Sequence, residues 1–187
     1  MTSDFDHPAL VLAAERLTSL RAAAARVGAP DPVAALQHVD CSPSVLRASA
    51  AQVGVGRQAL AQAHAEFRDG VEVAETCLAS FPPEADRVDG QYRAAAAAAA
   101  ATAAAGMSLA DRLDALAADA ASEAIGIASD AGLFVTAVLA GDRSPDAVSA
   151  VKAACAAVTS SVRKHVESIT DIAAALDSLT APAVTAP

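Results

Sequence analysis

Residues 54–59, Gly-Val-Gly-Arg-Gln-Ala, match the G-x-G-x-x-G/A pattern of loops that cradle a dinucleotide pyrophosphate. Such a loop leaves a strand and opens a helix, so that unpaired N–H groups at the helix start meet the phosphates. Here Val53 and Leu60 bracket the glycines within one seven-residue apolar repeat. That repeat places the motif inside a helix, with no strand before it. The glycines are then expected to mark a close helix–helix approach or a soft kink. Ser149-Ala150-Val151-Lys152 and Ser161-Val162-Arg163-Lys164 both match S-x-x-K, the nucleophile tetrad of penicillin-recognising enzymes. The S-D-N and K-T-G partners are missing, and two hits on one Ser- and Lys-bearing helix read as coincidence.

A di-iron bundle would use Glu-x-x-His pairs. Asp4, Ala35, Ala61 and Val162 stand three residues before His7, His38, His64 and His165, so no such pair exists. Cys41, Cys77 and Cys155 are odd in number and widely separated, without C-x-x-C; they read as buried small hydrophobes or free thiols. No catalytic, cofactor-binding or metal site is expected, and the chain is not expected to be an enzyme. His165 lies on an apolar row and is expected at the edge of a seam with its ring partly packed. The sharper reading makes it a register-setting or pH-sensitive contact. Arg163 and Lys164 beside it form a small basic island.

The elements that position these residues are helical. In 187 residues, 54% are apolar but only 3% aromatic, and there is no Trp. Alanine supplies most of the apolar count and has the highest helix propensity. Net charge is −9 with no basic stripe, which argues against nucleic acid as a partner. The opening MTSDFDHP is acidic where a signal peptide needs positive charge. The most apolar stretch, AIGIASDAGLFVTAVLAG, is interrupted by Ser129 and Asp130 and falls short of the ~20 apolar residues of a membrane helix. No integral membrane segment is expected.

A first helix should start at Asp6 and Pro8 and end near Gly28, with Leu10, Leu17 and Ala24 on one row and Ala13, Leu20 and Val27 on another. Residues 32–38 suit a short helical turn. Ser42-Pro43 opens a long helix in which Leu46, Val53, Leu60 and Phe67 repeat every seven residues, with Val71 and Leu78 on a neighbouring row. SFPPEAD at 80–86 breaks it, because consecutive prolines cannot sit in a helix interior. The alanine run 94–105 should be a closely packed helix, continued by a stripe of Leu109, Leu113, Leu116, Ala120, Ile127 and Phe134 and closed by Gly141. Gly106 leaves open whether this arm is one helix or two. Ser144-Pro145 starts the last helix, with Val148, Cys155, Val162, Ile169 and Leu176 on one heptad row. Val151, Val158, His165, Ile172 and Leu179 hold the other.

The stretch VDCSPSVLRASAAQVGVGRQALAQA, followed by a turn and then EADRVDGQYRAAAAAAAA, resembles the WXG100-like helical hairpins of actinobacterial type VII (ESX) secretion systems, especially their Ala-rich relatives. The family's Trp-x-Gly turn would fall near TCLASFPP, where Leu78 and Ser80 stand instead. The family's export signal, Tyr-x-x-x-Asp/Glu, is also missing, since Tyr92 is followed at the fourth position by Ala96. The resemblance implies a cytoplasmic chain, or one exported through a type VII system on a partner's signal.

The expected fold is all-α: an elongated helical bundle built on a long antiparallel helical hairpin, with additional N- and C-terminal helices. Its expected segments are an N-terminal helix and linker at 1–38, a hairpin at 39–141, and a C-terminal heptad helix with a loose tail at 142–187. The expected function is non-enzymatic, pairing with itself or a helical partner through Leu46, Val53, Leu60, Phe67, Val71 and Leu78, with His165 as a further interface candidate. The alternative is a small-ligand or lipid-binding bundle.

Overall fold

The computed structural model describes residues 5–77 and 84–180. Among them every regular element is helical and there is no strand. The order is α1 (Pro8–Arg16), α2 (Thr18–Val27), α3 (Pro32–Leu36), a 3-10 turn (Gln37–Val39), α4 (Pro43–Cys77), α5 (Glu84–Asp130), α6 (Gly132–Leu139) and α7 (Pro145–Thr180). The described residues within 1–43 and 111–180 form one compact unit and those within 44–110 a second, and α5 contributes residues to both.

The first unit has the deeper core. Leu10, Ala13, Leu17, Leu20 and Ala24 are all at most 1% exposed, as their two heptad rows require. The expected single helix is instead two. The backbone bends at Leu17 (ψ −1°), whose N–H still bonds the Ala13 carbonyl and whose carbonyl still accepts from Arg21 N–H, each at 2.8 Å. The helix begins at Pro8, as its Asp-His-Pro start suggests, and His7 is its cap. The His7 Nδ1 accepts from Ala9 N–H at 3.3 Å. Its Nε2 must then carry the proton, which it donates to Asp114 at 2.9 Å. Asp6 instead accepts from the Ser42 hydroxyl at 2.7 Å, and Asp40 accepts from the backbone N–H of Asp6 and His7. Each group that begins α1 is therefore tied to the segment that precedes α4.

Helix α2 ends where glycine permits a left-handed residue: Gly28 has φ +64°, and Ala29 N–H closes back to the Ala24 carbonyl at 2.9 Å. Gly141, at φ +104°, ends α6 in the same way, with Asp142 N–H reaching the Ala137 carbonyl. Helix α7 begins at Pro145 as its Ser-Pro start requires, and the Ser144 hydroxyl accepts from Ala147 N–H. It packs against α2, α3, α6 and the 3-10 turn. Val151, Cys155, Val158, Val162 and Ile172 are buried, and Val148, His165 and Ile169 are half-buried, so both described rows of the last helix face the core. The side chains of Leu176 and Leu179 lie outside the description.

Helix α5 settles the status of the arm at Gly106, since it continues through that glycine as one helix. Its end departs from expectation. The stripe was to run on to Phe134, but the chain bends at Ala131, and α6 buries Val135 and Val138 while leaving Phe134 43% exposed. Buried Ala110, Ala117, Ala124, Ala131 and Val138 keep one seven-residue spacing straight through the bend, so the stripe through Ala120 and Ile127 to Phe134 lies beside the buried row rather than on it. Among the described residues one helix, over 85–130, is long and apolar enough to cross a membrane by length and composition alone. Its apolarity comes from alanine: from 94 to 110 the larger apolar side chains are only Met107 and Leu109.

Candidate interaction site

The second unit brings residues 44–77 of α4 against residues 84–110 of α5. Ala50 lies at Gly106, while His64 reaches Asp89 and Phe67 reaches Tyr92. Of the glycines, Gly106 alone has a close neighbour: a Cβ there would come within 3.1 Å of the Ala50 Cβ. Glycine is used there because the neighbouring helix occupies the space of a side chain. Gly54 and Gly56 have no such role, since a Cβ at either would meet nothing within 4 Å. The close approach expected at those two glycines is therefore corrected: it belongs to Gly106, and the G-x-G-x-x-A motif lies inside α4.

Of the seven sequence-derived interface residues, Leu46, Val53, Leu60, Phe67 and Val71 all lie on the second unit and all are half-buried. Leu78 lies outside the described residues. His165 belongs to the first unit, half-buried on α7, where its Nδ1–H donates to the Ser161 carbonyl at 2.9 Å in the same helix. In the first unit Leu10, Ala13, Leu17, Leu20 and Ala24 reach 0–1% exposure, yet among the described residues of the second only Ala50, Gly106, Leu109 and Ala110 are buried. Val45, Val55 and Val73 stand 64–66% exposed. A cavity of about 330 Å³ opens along the seam, lined by Leu60, Val88, Gln91, Tyr92 and Ala95.

Sequence reasoning did not find the polar centre of this unit. His64 Nε2 lies 2.6 Å from Asp89 Oδ1, and Asp89 also receives Arg93 at 2.6 Å and Arg68 at 3.4 Å. The His64 ring stacks on Tyr92 with centroids 5.2 Å apart, and Phe67 covers Tyr92 at 5.8 Å. The Arg93 partner was readable as an i, i+4 pair, but the contact across helices needs the pairing register. The hydrogen bond from His64, then Arg68 and Arg93, holds the Asp89 carboxyl below its usual range against the opposing effect of desolvation. Because the folded carboxyl is the stronger acid, its contribution is present above the unfolded pKa of about 4 and is lost as acid titrates it. Tyr92 is the only tyrosine in a chain without Trp, so its emission reports on this unit. Acid titration should change that emission below about pH 4. In Asp89→Asn the acid step attributable to this group should be missing, and the emission at pH 7 should already be shifted.

The other candidates are elsewhere. Ser161 is buried and donates to the Glu123 carboxylate, while Ser149, Lys152 and Lys164 are exposed. Cys155 is buried and Cys41 half-buried, both free, and burial pushes both thiols up, helped by Asp40 and Asp114 near Cys41 and by Asp31 near Cys155. The side chain of Cys77 lies outside the description. Among the described residues no three His, Cys, Asp or Glu side chains come together as a metal site would need. No known protein family, curated protein or solved structure matches this chain.

Proposed function

We propose that this chain is a non-enzymatic helical interaction protein associated with type VII (ESX-like) secretion, pairing with a second helical chain along the seam of its second unit. In this reading the molecule is a bundle built on the 39–141 hairpin, and it acts in the cytoplasm or leaves with a partner that carries the export signal. One observation carries the reading: Leu46, Val53, Leu60, Phe67 and Val71 hold strict seam spacing yet stay half-covered. Covering such a row with another helix removes apolar surface from water, worth about 25 cal/mol per Å². The family resemblance of the same residues supplies the secretion context.

Light scattering behind a sizing column, with circular dichroism, tests the reading on the chain expressed alone. A helical dimer, or a monomer whose second unit is partly unfolded, is expected. A fully helical, stable monomer at every concentration would remove the need for a partner. A small molecule or lipid found by mass spectrometry with that monomer would favour the ligand-binding alternative.

A further inference from the structure

The seam of the second unit poses a problem of register. From 94 to 105 every residue of α5 is alanine except Thr102. Sliding this segment by one turn, about 5.4 Å, replaces alanine by alanine along most of its length. The facing row on α4 repeats every seven residues, so a slide of one heptad also finds apolar partners. Apolar burial is non-directional and does not distinguish these arrangements well. Yet one arrangement is present.

We infer that the His64–Asp89 contact, with Arg68 and Tyr92 around it, is a latch that holds the two helical segments of the second unit in one register. This goes beyond the proposed pairing, since it concerns the segments of one chain. The contact is specific in the way the seam is not. Asp89 is only 15% exposed and takes hydrogen bonds from His64 and Arg68 on α4 and from Arg93 on its own helix. A slide of one turn in one direction sets His64 near Asp86, which has Gly90 rather than arginine four residues on. It also takes Tyr92 away from His64 and Phe67. A heptad slide in the other direction sets His64 against Ala96, leaving Asp89 without its partners from α4. The Gly106–Ala50 approach discriminates less, because a methyl there needs a shift of only tenths of an ångström. Neutral histidine can still donate from Nε2, so the latch does not require an imidazolium. A polar pair that costs desolvation but fixes register has a counterpart in the single buried asparagine of coiled coils.

The test is a distance measurement in the full chain, with spin labels on Ala59→Cys and Ser108→Cys, both exposed positions. The native thiols are removed as Cys41→Ser, Cys77→Ser and Cys155→Ala. Pulsed electron resonance should give one narrow distance with His64 and Asp89 in place. In His64→Leu/Asp89→Leu the helical signal should persist, because apolar replacements suit a seam, while a second distance appears, displaced by about 5 Å or more. Leu60→Ala, which weakens the same seam without touching the latch, should keep the single distance. A single unchanged distance in the double variant would overturn the latch. So would loss of its helical signal, which would mean that the pair carries stability, or a split distribution in Leu60→Ala, which would mean that any weakening frees the register.

Discussion

Phe67→Asp should disable the second unit. Phe67 sits in the middle of the half-covered seam and closes one side of Tyr92, whose other neighbour is His64. The change removes a large apolar ring and places a carboxylate where water is partly excluded, beside Asp89. Together these effects are expected to cost about 3 kcal/mol or more. If the cost falls on association, that is about a hundredfold in affinity. Leu60→Asp, one heptad earlier and on the cavity wall, should act in the same direction. Tyr92 emission would report loss of the ring environment, and molar mass by light scattering would report loss of pairing. Complexes of unchanged mass and helicity from both variants would refute the seam assignment.

Leu17→Ala should produce a large loss of stability in the first unit. Leu17 is fully buried at the bend between α1 and α2, where a core residue must fill space that a straight helix would fill differently. Its removal leaves a cavity that close-packed neighbours cannot readily collapse into, and Leu→Ala at such sites costs about 2–5 kcal/mol. That is a large share of the roughly 5–15 kcal/mol that holds a typical domain. In urea, monitored by circular dichroism, the midpoint of the first unit's transition should fall while its slope is kept, since the surface exposed on unfolding hardly changes. A midpoint within error of the unmodified chain would contradict the core assignment.

The all-helical character was legible in the sequence because alanine content, seven-residue repeats and Ser-Pro starts all point the same way. Helices α4 and α7 begin at Pro43 and Pro145, where those starts stand. Bends were not legible. Leu17 and Ala131 sit inside continuous apolar spacing, and nothing in residue type distinguishes a leucine or alanine at a bend from one in a straight helix. Phe134 was misplaced for another reason: the buried row runs through Ala117, Ala124, Ala131 and Val138, and among so many alanines residue type does not separate it from the neighbouring row that ends at Phe134.

Of the candidate site, the apolar row was legible and the polar centre was not. Leu46, Val53, Leu60 and Phe67 follow from period alone. His64 and Asp89 are 25 residues apart and unite only when two helices meet in one register, which an alanine-rich partner leaves underdetermined. His165 drew attention instead because its position on an apolar row is visible within one helix, but its polar contact stays within that helix. The same limit explains the glycines. Gly54 and Gly56 match a motif, while the glycine that admits a neighbouring helix is Gly106, in a run of alanines where one missing methyl carries no pattern.

Amide hydrogen exchange read by mass spectrometry tests the partner-completed seam most directly, comparing residues 53–71 of α4 with residues 151–162 of α7 in the chain alone. A seam that waits for a second chain predicts exchange at 53–71 faster than at 151–162 in dilute solution by about a hundredfold or more. It also predicts that the gap narrows as concentration, or an added helical partner, brings pairing on. Equal protection of the two segments in a chain that stays monomeric at every concentration would contradict it.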